Sequence, residues 1–330
     1  MGKFDGIVRE FFEQQQGEVI VISEDALLFR TLRTTVQKLL AVKTGLVSHF
    51  ADMGPALKKI RMRVQEKLPA MLFVERILRG KPTTEFLINV KQAFPEVYVI
   101  VLTEETRRDN LVYLHEIGVN SLITKPASVD NLIEKMAFTL KPQGNLTQMV
   151  DQAKDHIQRG ELDKAMSISD KILEIKPNSP IGLMLRGDAY LGMGRRDDAI
   201  KAYEEAHASS SMFLEPLKRL AEAYSGTDEH DSQLKYLKKL DKLSPLNSDR
   251  KFEIGKVYTR KGEMKMAEVY FDEAIECATK EVFSTVGNMA KDIAHALDEM
   301  APNLSEKYLS QFLEFKGDRL TRDDMETFNR

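Results

Sequence analysis

The sequence predicts two regions of different class: an α/β domain built on a five-stranded parallel sheet, followed by an all-α array of helix pairs. Two observations carry this. Between about residues 18 and 140, short β-rich apolar runs alternate five times with longer amphipathic stretches. From residue 146 onward the chain instead repeats with a period of 34. The length of 330 residues accommodates two cores, and 42% hydrophobic with 30% charged residues is ordinary globular composition.

In residues 1–17, Phe4, Ile7, Val8, Phe11 and Phe12 lie at helical spacing. The resulting amphipathic helix has two open readings, packing against its own domain or self-association. The five strands are expected at "EVIVIS", "LVSHFA", "AMLFVE", "VYVIVLT" and "SLITKP", within a domain spanning 18–140. Helical patterns separate them. Parallel pairing follows because parallel strands need long, right-handed crossovers, and the uninterrupted apolar character matches strands covered on both faces. In "PAMLFVERIL" one acid, Glu75, ends such a run, so a carboxylate is delivered to the carboxyl edge of the sheet, where sites of open α/β folds form. The basic run "KKIRMRVQEK", residues 58–67, is read as an amphipathic helix with a solvated face, a docking surface being the alternative.

"KPQGN", residues 141–145, reads as a linker. Beyond it Gly187, Ala221 and Gly255 are spaced by 34, as are Tyr190, Tyr224 and Tyr258; Gly160, Gly194 and Gly262 share a further repeat position that Asp228 interrupts. Small residues let paired helices approach, aromatics fill the gaps, and Pro177 and Pro245 mark helix ends. These stretches resemble tetratricopeptide (TPR) repeats, in four windows across 146–281 that begin near Leu146, Pro180, Leu214 and Ser248. The first is the weakest, with His156 at the aromatic position. Residues 282–330 lose the register and are expected to form a degenerate fifth pair or capping helices and a tail.

The first region, 18–140, resembles the receiver domain of two-component response regulators, which implies a flavodoxin-like fold with strand order 2-1-3-4-5. In that family two acids after the first strand bind Mg²⁺, an Asp after the third accepts phosphate, and a Thr or Ser and a Lys before Pro hold the phosphoryl oxygens. Here Thr103 and Lys125, before Pro126, match the last two. Ser23 and Glu24 stand at the acid pair, Glu75 stands at the acceptor, Leu122 replaces the usual aromatic switch residue, and "RILRGKPTTEF" replaces the short loop after the acceptor. An acceptor lengthened by one methylene is misplaced by about 1.5 Å, and phosphoryl transfer depends on positioning and charge neutralisation. A neutral hydroxyl is moreover a poor substitute for a carboxylate on Mg²⁺. The resemblance therefore implies a pseudo-receiver in which Glu75 pairs with Lys125. An alternative for Thr103 and Lys125 is a purely structural strand-end cap and a solvated or paired lysine.

The repeats imply a groove for a protein partner, lined by Lys154, Met184, Leu185, Asp188, Lys218, Arg219, Glu222, Phe252, Glu253, Lys256 and Arg260. The carboxylate-gripping Lys and Asn pattern of the family is not reproduced in this set. A net charge of −3 gives no global attraction for nucleic acid. No signal peptide or membrane-spanning run is apparent, so a cytoplasmic protein is expected. The single cysteine, Cys277, excludes an intrachain disulfide and reads as a buried packing residue, with a reactive thiol as the alternative. The six histidines lack metal-site spacing, and no Gly-rich phosphate loop or nucleophile motif occurs. The expectation is a non-catalytic, bacterial-type signalling adaptor without a cofactor, whose receiver-like face is available to a kinase or regulator. Two alternatives are a residual phosphoacceptor using Glu24 and Glu75 with a metal, and a structural or dimerisation scaffold.

Overall fold

The five apolar runs pair as one parallel sheet. The computed structural model describes residues 4–39, 44–105, 107–140, 145–211 and 213–317, and the chain divides into two units, 1–144 and 145–330. The 141–144 part of the expected linker and the tail from 318 lie outside the described residues.

In the first unit the strands are β1 (Glu18–Ile22), β2 (Val47–Phe50), β3 (Ala70–Glu75), β4 (Ile77–Leu78), β5 (Lys81–Pro82), β6 (Tyr98–Thr103) and β7 (Ser121–Thr124). The main sheet runs β2-β1-β3-β6-β7 with every neighbour parallel. Counting only its five strands, this is the expected order 2-1-3-4-5. Crossovers are made by α2 (Ala26–Leu39), α3 (Met53–Gln65), α4 (Thr84–Ala93) and α5 (Arg108–Glu116), and α6 (Val129–Leu140) follows the last strand.

Residues of alternating parity serve two cores, as the pleat requires. Val19, Val21, Met71, Phe73, Ile100 and Leu102 pack with Leu28 and Leu32 of α2 and Leu132 and Met136 of α6. Ile20, Ile22, Leu72, Val74, Val99 and Val101 pack with Ile60 of α3, Leu87 of α4 and Leu114 of α5. The amino-terminal helix α1 (Asp5–Glu13) buries Val8, Phe11 and Phe12 in the first of these cores. Its apolar stripe therefore packs within its own unit, with Phe4 against Phe138 of α6 at 5.2 Å.

The basic run lies on α3 to Gln65 as an amphipathic helix, with Ile60 buried and Lys58 and Arg61 on the exposed face, but not every cation in it is solvated. Arg63 is buried and donates to the Gln16 and Pro69 carbonyls, and Lys59 meets the buried Glu18 at 2.9 Å. Of its basic residues, Lys58, Arg61 and Lys67 are exposed.

Among its described residues the regular elements of the second unit are all helices, joined by short turns and loops. Its pairs are α7 (Asn145–Gln158) with α8 (Leu162–Ile175), α9 (Pro180–Gly192) with α10 (Arg196–Ser209), α11 (Glu215–Ala223) with α12 (His230–Leu243), and α13 (Ser248–Arg260) with α14 (Met264–Glu281). A fifth pair, α15 (Val286–Leu297) and α16 (Pro302–Lys316), follows a short 3-10 turn. Antiparallel approach is set by the small repeat positions: a Cβ on Gly187 would lie 2.4 Å from the Tyr203 ring, and one on Gly255 would lie 2.4 Å from Phe271. The third pair departs from the register. Its first helix ends early at Ala223, so the left-handed turn residue is Gly226 (φ +75°) rather than position 228, two residues ahead of the place held by Gly160, Gly194 and Gly262.

Candidate functional site

Glu75 ends β3 at the carboxyl edge of the sheet, and Lys125 follows β7 two strands away. Their side chains meet: Lys125 Nζ donates to Glu75 Oε1 at 2.6 Å and Oε2 at 2.7 Å. Both are largely withdrawn from solvent, at 13% and 15% side-chain exposure. Ser23, fully buried at the end of β1, donates its hydroxyl to Glu75 Oε1 at 2.5 Å. The carboxylate thus has a charged and a neutral donor. Thr103, at the end of β6, is buried, and its hydroxyl accepts the Glu105 N–H at 3.0 Å. That is the strand-end cap, and the Lys125 N–H closes on the Thr103 carbonyl at 2.9 Å. Glu75, Thr103 and Lys125 border a cleft of about 640 Å³ that also takes in Glu24, Asp25, Arg79 and Glu104.

Three participants were not singled out in the sequence. Asp25 accepts the Leu27 and Leu28 N–H groups, capping α2, and its other oxygen lies 3.9 Å from Lys125. The signal was present: an Asp directly before an apolar periodic segment is a helix start. Arg79 occupies the tip of the antiparallel hairpin β4–β5, which forms because Arg79 (φ +52°) and Gly80 (φ +72°) are the two left-handed residues of a two-residue turn. The hairpin accounts for the long segment after Glu75. Arg79 donates its N–H to Glu24 Oε2 at 3.1 Å, and its guanidinium meets Asp52 at 2.7 Å. His49 on β2 bonds the Ser23 carbonyl at 2.8 Å and stacks on Phe29. No local pattern announces these last two, because their partners come from other elements.

The Mg²⁺ that the receiver resemblance implies does not fit this donor set. Ser23 directs its proton at Glu75, Glu24 is turned to Arg79, and Asp25 caps a helix. Among the described residues, no three His, Cys, Asp or Glu side chains gather to hold a metal ion. Leu122, at the place of the switch aromatic, packs against the second core.

In the second unit the expected groove residues separate into three groups. Leu185 is not a groove residue: it is fully buried with Val150, Ala153 and Ile172, because its face of α9 meets the preceding pair. Met184 is nearly as buried. Lys218, Arg219, Phe252, Glu253 and Lys256 are half-exposed, and Lys154, Glu222 and Arg260 are exposed. Charges along the first helices are balanced locally, through Lys218–Glu215 at 3.0 Å, Arg219–Glu222 at 3.1 Å and Lys256–Glu253 at 2.5 Å. Lys256 also covers the Phe252 ring. Arg260 donates to Gln233 at 3.2 Å, which ties consecutive pairs together.

Asp188 joins neighbouring repeats. It accepts the Tyr203 hydroxyl at 2.8 Å and faces Arg219 at 3.1 Å. Burial pushes the Asp188 carboxyl above the ordinary aspartate range, against the pull of Arg219. Burial, reinforced by Asp188, likewise raises the Tyr203 phenol. Among the described residues no helix is long and apolar enough to cross a membrane.

Comparison with known proteins bears on the second unit. The family profile "Psidin, N-terminal TPR repeats region" matches residues 150–270. No curated protein matches the chain. Among solved structures, a MamA protein is 22% identical, with 52% of this chain and 91% of that one aligned at a TM-score of 0.43. PilF of Pseudomonas aeruginosa is 19% identical over 52% of this chain and 77% of that one, with a TM-score of 0.40. YrrB, a TPR protein with an unusual peptide-binding site, is 16% identical over 52% and 86%, with a TM-score of 0.41. With the 34-residue period, five stacked helix pairs and the profile match, the second unit is a TPR-like helical solenoid.

Proposed function

We propose that the chain is a non-catalytic signalling adaptor: a flavodoxin-like pseudo-receiver joined to a TPR array that binds a protein partner. The observation that carries the reading is the bidentate Lys125–Glu75 pair at 2.6 and 2.7 Å. Lys125 is the group that, in the resembled family, holds the phosphoryl oxygens, and here a resident carboxylate already satisfies it. Ser23 adds a second donor to the same carboxylate. The site is thus held in one state by its own side chains, and a signal would be passed through binding surfaces rather than through aspartyl phosphate. For the array, supporting features are the repeat profile and the packing of α7 on α9 and of α13 on α15, each a contact between first helices of neighbouring pairs. Phe252, on α13, is a half-exposed aromatic flanked by internally balanced charge.

Intact-mass measurement of the full chain after incubation with acetyl phosphate and Mg²⁺ tests the reading. The expected result is no adduct. A phosphate mapped to Glu75 overturns it in favour of the residual phosphoacceptor.

A further inference from the structure

The cleft below the hairpin is lined by five carboxylates, Glu24, Asp25, Glu75, Glu104 and Glu105. Lys125 neutralises the inner end through Glu75, with Asp25 at 3.9 Å. The outer end is closed by one residue. Arg79 gives Glu24 its backbone N–H at 3.1 Å, brings Nε to within 3.9 Å of the same carboxylate, and holds Asp52 at 2.7 Å. The hairpin that carries it is anchored at its base: Arg76 donates its N–H to the Leu102 carbonyl at 2.8 Å and its guanidinium to Thr84, and Thr83 bonds the Glu75 and Arg76 carbonyls. A left-handed non-glycine residue at a turn tip is uncommon, and here it places a cation between Glu24 and Asp52.

We infer that Arg79 is a built-in counter-cation, which takes the place of a divalent metal at the mouth of the cleft and makes the site independent of metal. The inference deepens the pseudo-receiver reading and rests on it for the assignment of the cleft as the site. The chemistry is simple electrostatics. Glu24 and Asp25, in the loop after β1, and Asp52, in the loop after β2, lie at the same sheet edge, and the guanidinium faces Glu24 and Asp52 and repels a divalent ion. Removing one positive charge about 5 Å from a divalent ion in a solvent-open site strengthens binding of that ion about tenfold.

The test is titration of the full chain with Mn²⁺ alone, followed by the electron paramagnetic resonance signal of the free ion. The unmodified protein should bind Mn²⁺ weakly at this cleft. Arg79→Gly, which keeps the backbone N–H and adopts the left-handed turn freely, should bind about tenfold more tightly. Adding Glu24→Gln should abolish the gain, and Arg79→Lys should behave as the unmodified protein. Unchanged affinity in Arg79→Gly, a gain that survives Glu24→Gln, or a gain in Arg79→Lys would each overturn the inference. A phosphate adduct on Glu75 would end the pseudo-receiver reading whatever Mn²⁺ does, whereas a failure of the Mn²⁺ series leaves that reading standing.

Discussion

Lys125→Met is the most informative perturbation of the first unit, because it leaves Glu75 in place without its cation. The charge centres lie about 3 Å apart, and at an effective dielectric constant of about 20 their gross attraction is about 5 kcal/mol. Desolvation of two side chains that are only 13% and 15% exposed offsets much of this. Truncating one partner nevertheless strands a mostly buried carboxylate, supported then only by the Ser23 hydroxyl, whose bond is worth about 1 kcal/mol. The expected loss is about 2 kcal/mol, below the range for fully buried pairs because the cleft admits water. Local opening of the strand ends should therefore become about thirtyfold more frequent. Amide hydrogen exchange read on peptides covering β1, β3 and β7 measures this in the full chain. Combining Lys125→Met with Glu75→Gln should recover about half of the loss, since no uncompensated charge remains. Exchange within about twofold of the unmodified protein in Lys125→Met, or strict additivity of the two changes, would refute a closed ion pair.

Gly255→Ala should destabilise the array by about 1–2 kcal/mol despite the better helix propensity of Ala, because the added Cβ falls 2.4 Å from a fully buried Phe271 ring packed on Tyr308; urea unfolding followed by circular dichroism at 222 nm, about the helix minimum, reads the shift. Cys277 donates to the Leu246 carbonyl at 3.0 Å, and burial raises its thiol from 9.0 to about 11. The native state then holds this proton to higher pH than the unfolded chain, so its contribution to stability is complete below pH 9.0 and declines from there to about 11. Iodoacetamide should accordingly modify Cys277 at pH 8 only after urea is added, about this pH being well below the native thiol's range, and rapid labelling of the folded protein would contradict the burial argument. Replacing Phe252 and Lys218 together by Ala should weaken a captured partner at least about tenfold while leaving the far-ultraviolet spectrum unchanged; unaltered affinity would move the binding surface off the first helices.

Much of this architecture is legible in the amino-acid order because it is periodic. A strand buried on both faces must be apolar along its whole length, so "EVIVI" and "AMLFV" announce themselves, and a 34-residue repeat announces stacked helix pairs because Gly187 and Gly255 must admit Tyr203 and Phe271 at equivalent places. The receiver resemblance implies that Glu75 and Lys125, at two strand ends, share one site, and their side chains do meet, at 2.6 and 2.7 Å. What could not be read was every choice that depends on direction in space. The Arg79–Gly80 turn reads locally as a loop; which acids its guanidinium reaches depends on how β3, the loop before α2 and the start of α3 converge at the sheet edge. Leu185 and Asp188 lie three residues apart on α9, yet one is sealed in the core and the other joins Tyr203 and Arg219, because helix rotation against the neighbouring pairs sets which side each presents. Periodicity specifies which elements exist, since it follows from burial of one face; the identity of a side chain's partner follows from the packing of elements distant in sequence, and no local pattern encodes it.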